Sequence, residues 1–133
     1  MKNTKDCKRL SYDSLIPEFI IGANVNIYDM NSAAMKLFGL NDDAVKYTRL
    51  GNALKCVHSK DKTIGCGYGG ECKKCPIRIS VGKCADNLTK INSESQVNIK
   101  IREVDTIINI TFKISKLTEV NNRFFLQVVN IIK

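Results

Sequence analysis

The strongest constraint on folding lies in the last third of the chain, where apolar and polar residues alternate along two neighbouring segments. Residues 97–102 and 108–115 place an apolar side chain at every second position, which is the period of a strand with one buried face. The polar stretch between them, EVDT, is short enough for a hairpin. Residues 123–132 are apolar on both faces, as expected of a central strand. The pattern therefore predicts an antiparallel meander.

The first part of the chain predicts another hairpin. Residues 15–22, LIPEFIIG, have the composition of a strand in which Pro17 is tolerated near the start. Residues 25–30, VNIYDM, have a similar composition, and the Gly-Ala-Asn stretch between the two segments supplies a turn. We expect these two strands to pair with each other.

Two short helices are predicted to follow this hairpin. In the segment NSAAMKLFG the Asn31 side chain can cap the free backbone amides of a helix, and Gly39 can end that helix in the left-handed conformation. Asn41 is a second capping residue, and it precedes a predicted helix over residues 42–50 that Gly51 would close.

A longer helix is predicted from Pro76, a residue suited to the first helical position, to somewhere within residues 86–92. Its apolar residues recur at helical spacing and form one stripe: Ile77, Val81, Cys84 and Leu88. Since Cys84 belongs to this stripe, we interpret it as a buried packing residue and not as a ligand.

Length and composition indicate a single domain. The chain has 133 residues, of which 44% are hydrophobic, and this is enough for a real core without covalent cross-links. We expect residues 1–14 to form an N-terminal helix or linker and residues 15–133 to form the domain. Nothing resembles a membrane helix or a signal peptide, so we expect a cytoplasmic protein with no membrane contact.

The formal charge of +8 raises the possibility of nucleic-acid binding. The lysines are dispersed, however, with no block of five or six like charges and no base-stacking aromatic residues between them. We therefore expect no direct contact with nucleic acid. No kinase, cyclase or phosphate-loop motif is present either, so we expect that the chain is not an enzyme.

Four of the six cysteines lie in one glycine-rich loop over residues 54–76, and their spacing is C-x9-C-x5-C-x2-C. Disulfides are rare in a reducing compartment, so clustered cysteines favour metal binding or redox chemistry. The two-residue gap lets the last two cysteines grip one ion, and the glycines let the loop fold round it. The predicted ligands are Cys56, Cys66, Cys72 and Cys75.

Several cations near the predicted ligands should favour the thiolate form that binds metals. These cations are Lys55, Lys60, Lys62, Lys73, Lys74 and Arg78. His58, two residues after Cys56, is either a ligand, a residue that tunes the site, or an ordinary surface histidine. Cys7 receives no role.

The order of elements, together with the segment NSAAMKLFG at residues 31–39, resembles the PAS domain, in which an "N-x-A-x-x-L-x-G" element follows the second strand. The resemblance runs from about Leu15 to Ile132. It implies an α+β fold, a five-stranded antiparallel sheet with short helices and one longer helix on one face. It further implies a sensor that forms a homodimer and relays a signal to an output domain or partner, such as a histidine kinase or a transcription regulator.

The identity of the metal stays open between two alternatives. The C-x5-C-x2-C string is one residue longer than the C-x4-C-x2-C string of plant-type ferredoxins, which favours an iron-sulfur cluster. Some sensor PAS domains carry such clusters, so the resemblance implies redox or oxygen sensing. Zinc is the alternative. It would stabilise the fold of an interaction or dimerisation domain without redox chemistry, although zinc sites more often show two pairs of closely spaced ligands. A thiol-disulfide enzyme that uses Cys72 and Cys75 is a third hypothesis.

Overall fold

A computed structural model describes residues 15–41, 46–56, 75–87, 90–117 and 122–132. The elements follow in chain order: β1 (Glu18–Gly22), β2 (Ile27–Met30), α1 (Ser32–Phe38), α2 (Leu50–Ala53), α3 (Pro76–Asn87), β3 (Ile91–Ile101), β4 (Val104–Lys116) and β5 (Arg123–Ile132). The predictions made for residues 1–14, Cys66, Cys72, His58 and Leu88 lie outside the described residues.

The five strands form one antiparallel sheet in the order β2-β1-β5-β4-β3. The predicted pairing of β1 with β2 is confirmed, and so is the meander of β3, β4 and β5. The run of apolar residues at 123–132 is the central strand, as its pattern indicates. Between β4 and β5 the register shifts at Thr111 and Phe112, where β5 has one extra residue.

One face of the sheet carries the hydrophobic core, and the helices cover that face. Phe19, Phe112 and Phe124 are buried there. All three helices contribute to the same cluster, whose buried helical members are Ala34, Phe38, Leu50, Ile77, Val81 and Cys84. This arrangement confirms the predicted α+β class, with helices on one side of an antiparallel sheet.

The predicted first helix is confirmed in its details. The Asn31 side chain accepts a hydrogen bond from the Ala34 amide at 3.0 Å, which satisfies one of the unpaired donors at the start of α1. Gly39 ends the helix with φ 66° and ψ 39°, the left-handed conformation that glycine adopts without steric cost. Asn31 therefore fixes where α1 begins, and Gly39 fixes where it ends.

The helix predicted over residues 42–50 differs from the described structure. Residues 42–45 lie outside the described ranges, while Gly51 lies inside the short helix α2 and does not close a helix. The reason is a contact with the edge of the sheet, because Asn26 and Arg49 form an antiparallel bridge and Arg49 is extended. The helix can start only after this bridge.

Strand β3 is longer than the alternation of residues 97–102 predicts, since it begins at Ile91. Ser93 and Ser95 lie on the same face as Val97, but they are polar. The alternation of apolar and polar residues that predicts a strand is therefore absent from the first part of β3. The turn into β4 is also earlier and tighter than the EVDT stretch suggests, because Ile101 pairs directly with Val104. No helix in the described part of the chain is long and apolar enough to cross a membrane.

Candidate functional site

Cys56 lies at the start of the cysteine-rich loop, directly after α2. Its amide donates a hydrogen bond to the Gly51 carbonyl at 2.8 Å, across the left-handed Lys55, which is the usual bond that closes the end of a helix. The side chain is partly buried and packs against the main hydrophobic core. The backbone of this predicted ligand is therefore held by α2 and its side chain by the core.

Cys75 lies at the other end of the loop, immediately before α3. Its carbonyl accepts a hydrogen bond from the Ile79 amide at 3.0 Å and so belongs to the first turn of that helix. The side chain is a free thiol, partly buried, and packs against the same core as Cys56.

The structure thus anchors the first and the last of the four predicted ligands on one common core. Cys66 and Cys72 belong to residues 57–74, which lie outside the described ranges. Within those ranges no group of three or more histidine, cysteine or acidic side chains is arranged to hold a metal ion. In chemical terms, two anchored sulfur donors flank a segment that contains two more.

Cys84 differs from these two cysteines. It is fully buried in the core, and its thiol donates a hydrogen bond to the Ile114 carbonyl, with 3.4 Å between sulfur and oxygen. Burial raises the pKa of the Cys84 thiol, against a smaller opposing contribution from a hydrogen bond with the Ile91 backbone. The thiol therefore stays protonated, and its predicted role as a packing residue is confirmed.

Two of the predicted cations near the cysteines are described, and both contact polar groups elsewhere. The Lys55 ammonium pairs with the Glu103 carboxylate in the β3–β4 turn. The Arg78 guanidinium donates to the Asn24 side-chain oxygen at 2.7 Å. The charge of Lys55 is thus shared with a carboxylate on another element, which weakens its effect on the neighbouring sulfur.

Sequence reasoning missed a buried polar network at the start of β1. The Asn31 side-chain oxygen accepts the Glu18 amide at 3.0 Å, and its NH2 group donates to the Ile16 carbonyl at 2.8 Å. The Glu18 carboxylate is 3% exposed and accepts a hydrogen bond from Gln127 on β5 at 2.9 Å. A charged residue inside the apolar segment LIPEFIIG was the available signal. The network joins β1, α1 and β5, and it is structural in character.

The outer face of the sheet holds an open groove of about 400 Å³ along β3, β4 and the end of β5. Its outward-facing lining is polar except for one isoleucine and includes Glu94, Gln96, Asn109, Thr111 and Ile132. The groove lies on the opposite face of the sheet from the cluster that contains Cys56 and Cys75. We take the two ends of the cysteine-rich loop as the candidate functional site because they carry Cys56 and Cys75, the two predicted ligands that lie within the described residues.

Comparison with solved structures shows which fold this is. The chain is similar to a domain of a sensory box sensor histidine kinase/response regulator from Geobacter sulfurreducens, with 13% identity over 96% of this chain and 93% of that one and a TM-score of 0.61. It is also similar to the PAS domain of nitrogen regulation protein NR(II) from Vibrio parahaemolyticus, with 12% identity, 98% and 99% coverage and a TM-score of 0.59.

A third similar structure is the PAS domain of an HTR-like protein from Haloarcula marismortui, with 10% identity, coverage of 99% of this chain and 100% of that one, and a TM-score of 0.60. No family model matches the sequence, and the search of curated proteins found no match. The chain has the PAS fold, as its NSAAMKLFG segment and its order of elements predict.

Proposed function

We propose that this chain is a sensory module in which Cys56, Cys66, Cys72 and Cys75 hold one metal centre, preferably an iron-sulfur cluster. The observation that carries the proposal is that Cys56 and Cys75, at the two ends of the loop, pack against the same core. The segment between them contains the other two cysteines and several glycines, so its backbone can bring four sulfurs to one point.

The described residues would hold the two ends of the site in defined positions. Cys56 is tied to α2 by its backbone hydrogen bond to Gly51, and Cys75 is part of the first turn of α3. A bound cluster would supply a reversible one-electron change or sensitivity to oxygen. Both ends pack against the core on the inner face of the sheet. A change in the oxidation state or binding of the metal at these sulfurs would therefore alter the packing of α2 and α3.

The proposed output is relayed to a partner and is not catalytic. PAS-fold structures similar to this one come from sensor histidine kinases, which supports a kinase or another signalling protein as the partner. A homodimer is the proposed assembly. Since cysteine ligands must stay reduced to bind metal, the proposed location is the cytoplasm.

Anaerobic purification tests the proposal. We expect a brown protein that contains iron and acid-labile sulfide, loses its visible absorption in air, and loses its iron when Cys56 or Cys75 is replaced by alanine. The matched control is Cys84→Ala, which should keep the metal because Cys84 is buried in the core. A colourless, metal-free protein that cannot be reconstituted would refute the proposal.

Zinc is the second candidate, because the two-residue gap between Cys72 and Cys75 is also typical of zinc sites. One zinc ion per chain, insensitivity to oxygen and loss of folding on chelation would favour it. Metal analysis of the same anaerobic sample separates the two candidates.

A further inference from the structure

The turn between β3 and β4 has an unusual backbone for its sequence. Arg102 and Glu103 are its two central residues, and both have positive φ, 50° and 67°. Two-residue hairpins with this conformation normally contain asparagine, aspartate or glycine, because longer side chains are sterically disfavoured there. Contacts outside the hairpin must therefore help to hold this turn.

Each of the two side chains reaches a different element. The Arg102 guanidinium donates to the Lys36 carbonyl in the last turn of α1, where a positive charge is favourable. The Glu103 carboxylate pairs with the Lys55 ammonium. The turn also packs closely on the end of α1, since a Cβ added at Gly39 would lie 2.9 Å from Cγ of Arg102.

Lys55 connects this turn to the candidate site, because it directly precedes Cys56. Its own backbone has positive φ, 55°, because Lys55 is the left-handed residue that ends α2, where the Cys56 amide donates to the Gly51 carbonyl. One residue earlier, the Leu54 carbonyl accepts the Lys100 amide of β3 at 3.0 Å. A backbone hydrogen bond and a side-chain ion pair therefore both tie the segment before Cys56 to the β3–β4 hairpin.

We propose that Lys55 and Glu103 are positioning residues for Cys56, so that a change at Cys56 alters the β3–β4 turn and a change in this turn alters the orientation of Cys56. This inference rests on the proposed function and specifies how that site is connected to the sheet. The ion pair is exposed, 48% at Lys55 and 75% at Glu103, so it contributes little to the free energy of unfolding. Its proposed role is to orient Cys56. By linkage, occupation of Cys56 would stabilise the turn as much as the turn stabilises the site.

The first test uses the full 133-residue chain without metal. Alkylation rates of Cys56 and Cys75 are measured by mass spectrometry across pH in the original protein and in Glu103→Gln. In the variant we expect the rate constant of the Cys56 thiolate, fitted to rates measured below about pH 9.5 where lysine keeps its charge, to rise about two- to fivefold, the range set by an exposed ion pair, with Cys75 nearly unchanged. The fitted rate constant is used because loss of the carboxylate charge also changes the fraction of thiolate at a given pH.

Two controls accompany this measurement. Asp105→Asn removes a carboxylate that pairs with Lys100 at 3.7 Å on the same hairpin but does not contact Lys55, and it should leave the rate at Cys56 unchanged. The double variant Lys55→Glu with Glu103→Lys reverses the pair and should restore the slow rate. An unchanged thiolate rate constant for Cys56 in Glu103→Gln, or an equal rise at both cysteines, would overturn the proposal.

The second test uses iron- or zinc-loaded protein. We expect metal release to a chelator to be faster in Glu103→Gln, and metal binding to shift the amide NMR signals of residues 102–104 in the original protein but much less in the variant. If neither the original protein nor the variant binds metal, the proposed function fails, and the alkylation result still decides the positioning role. If metal binds but the variant changes neither the rate of metal release nor the NMR shifts, only the positioning role fails.

Discussion

Cys75 and Cys84 belong to the same helical region and contact the same core, but their surroundings differ. Cys84 is fully buried and bonded to the Ile114 carbonyl, and burial raises the pKa of its thiol. Cys75 is partly buried, at the end of a glycine-rich segment and at the start of α3. The difference teaches that burial with a fixed carbonyl partner makes a cysteine a packing residue, whereas a cysteine at the start of a helix in the same region can remain partly exposed.

The strongest way to break the comparison is to remove the packing around Cys84. Phe112 is fully buried on the inner face of β4, two residues before the carbonyl partner of Cys84. We expect Phe112→Ala to lower the free energy of unfolding by about 3–5 kcal/mol, measured by urea denaturation. Alkylation of Cys84 should accelerate far more than that of Cys75.

The control for this change is Val104→Ala, at a residue that is 63% exposed, with an expected effect within about 0.5 kcal/mol. A loss below about 1 kcal/mol for Phe112→Ala would contradict the assigned core.

A second change acts on the shared scaffold but away from both cysteines. Asn31→Ala removes the α1 cap and leaves the buried Glu18 amide without its acceptor, so we expect a loss of about 2–3 kcal/mol. Thermal or urea unfolding measures this loss. Cys84 is fully buried and reacts only when the core opens, so its alkylation should accelerate with this loss of stability, while that of the partly buried Cys75 should change much less. Equal acceleration at the two cysteines would contradict the difference in burial.

The direct comparison replaces each cysteine in turn. We expect Cys84→Ala to lower the free energy of unfolding by about 1 kcal/mol, because it deletes a buried sulfur and its hydrogen bond. Cys75→Ala should cost less stability in the metal-free protein, since its side chain is only partly buried. Metal binding should show the opposite order, with loss in Cys75→Ala and retention in Cys84→Ala. Metal loss in Cys84→Ala, with the fold intact by circular dichroism, would contradict the assignment of Cys84 as a packing residue and Cys75 as a ligand.

The smallest expected effect is a pH dependence specific to Cys84. The folded state raises the pKa of this thiol above its ordinary value of 9.0, so the folded protein holds the proton more tightly than the unfolded chain. The stability due to Cys84 is therefore present below pH 9.0 and is lost as the pH rises through the folded pKa. Urea unfolding from pH 7 upward should show that the difference in free energy of unfolding between the original protein and Cys84→Ala becomes smaller above pH 9.0. A gap that widens would contradict the assigned burial.

Much of the fold follows from local pattern. Alternation predicts the paired strands, and residues 31–39 predict the first helix together with its cap and its left-handed end. The start of β3 escapes this reasoning because Ser93 and Ser95 take inner positions without being apolar. The predicted helix over residues 42–50 is displaced by the bridge from Arg49 to the sheet, a contact between distant parts of the sequence.

For the candidate site, spacing and glycine content predict the four loop cysteines as ligands, and this role stays a prediction. The assignment of Cys84 to the core from helical period is confirmed. The contact between Lys55 and Glu103 has no local signal, because the two residues are 48 positions apart and meet only when the hairpin folds over α2. Geometry of this kind depends on the tertiary fold and not on residue type.

X-ray absorption spectroscopy on the metal-loaded protein tests the four-cysteine hypothesis most directly, because it reads the atoms bound to the metal. With four cysteines as ligands, the nearest neighbours of the metal should be sulfur alone, at about 2.3 Å, the usual metal–thiolate length. Nearest neighbours that include nitrogen or oxygen, or a protein that retains no metal after anaerobic reconstitution, would contradict the hypothesis.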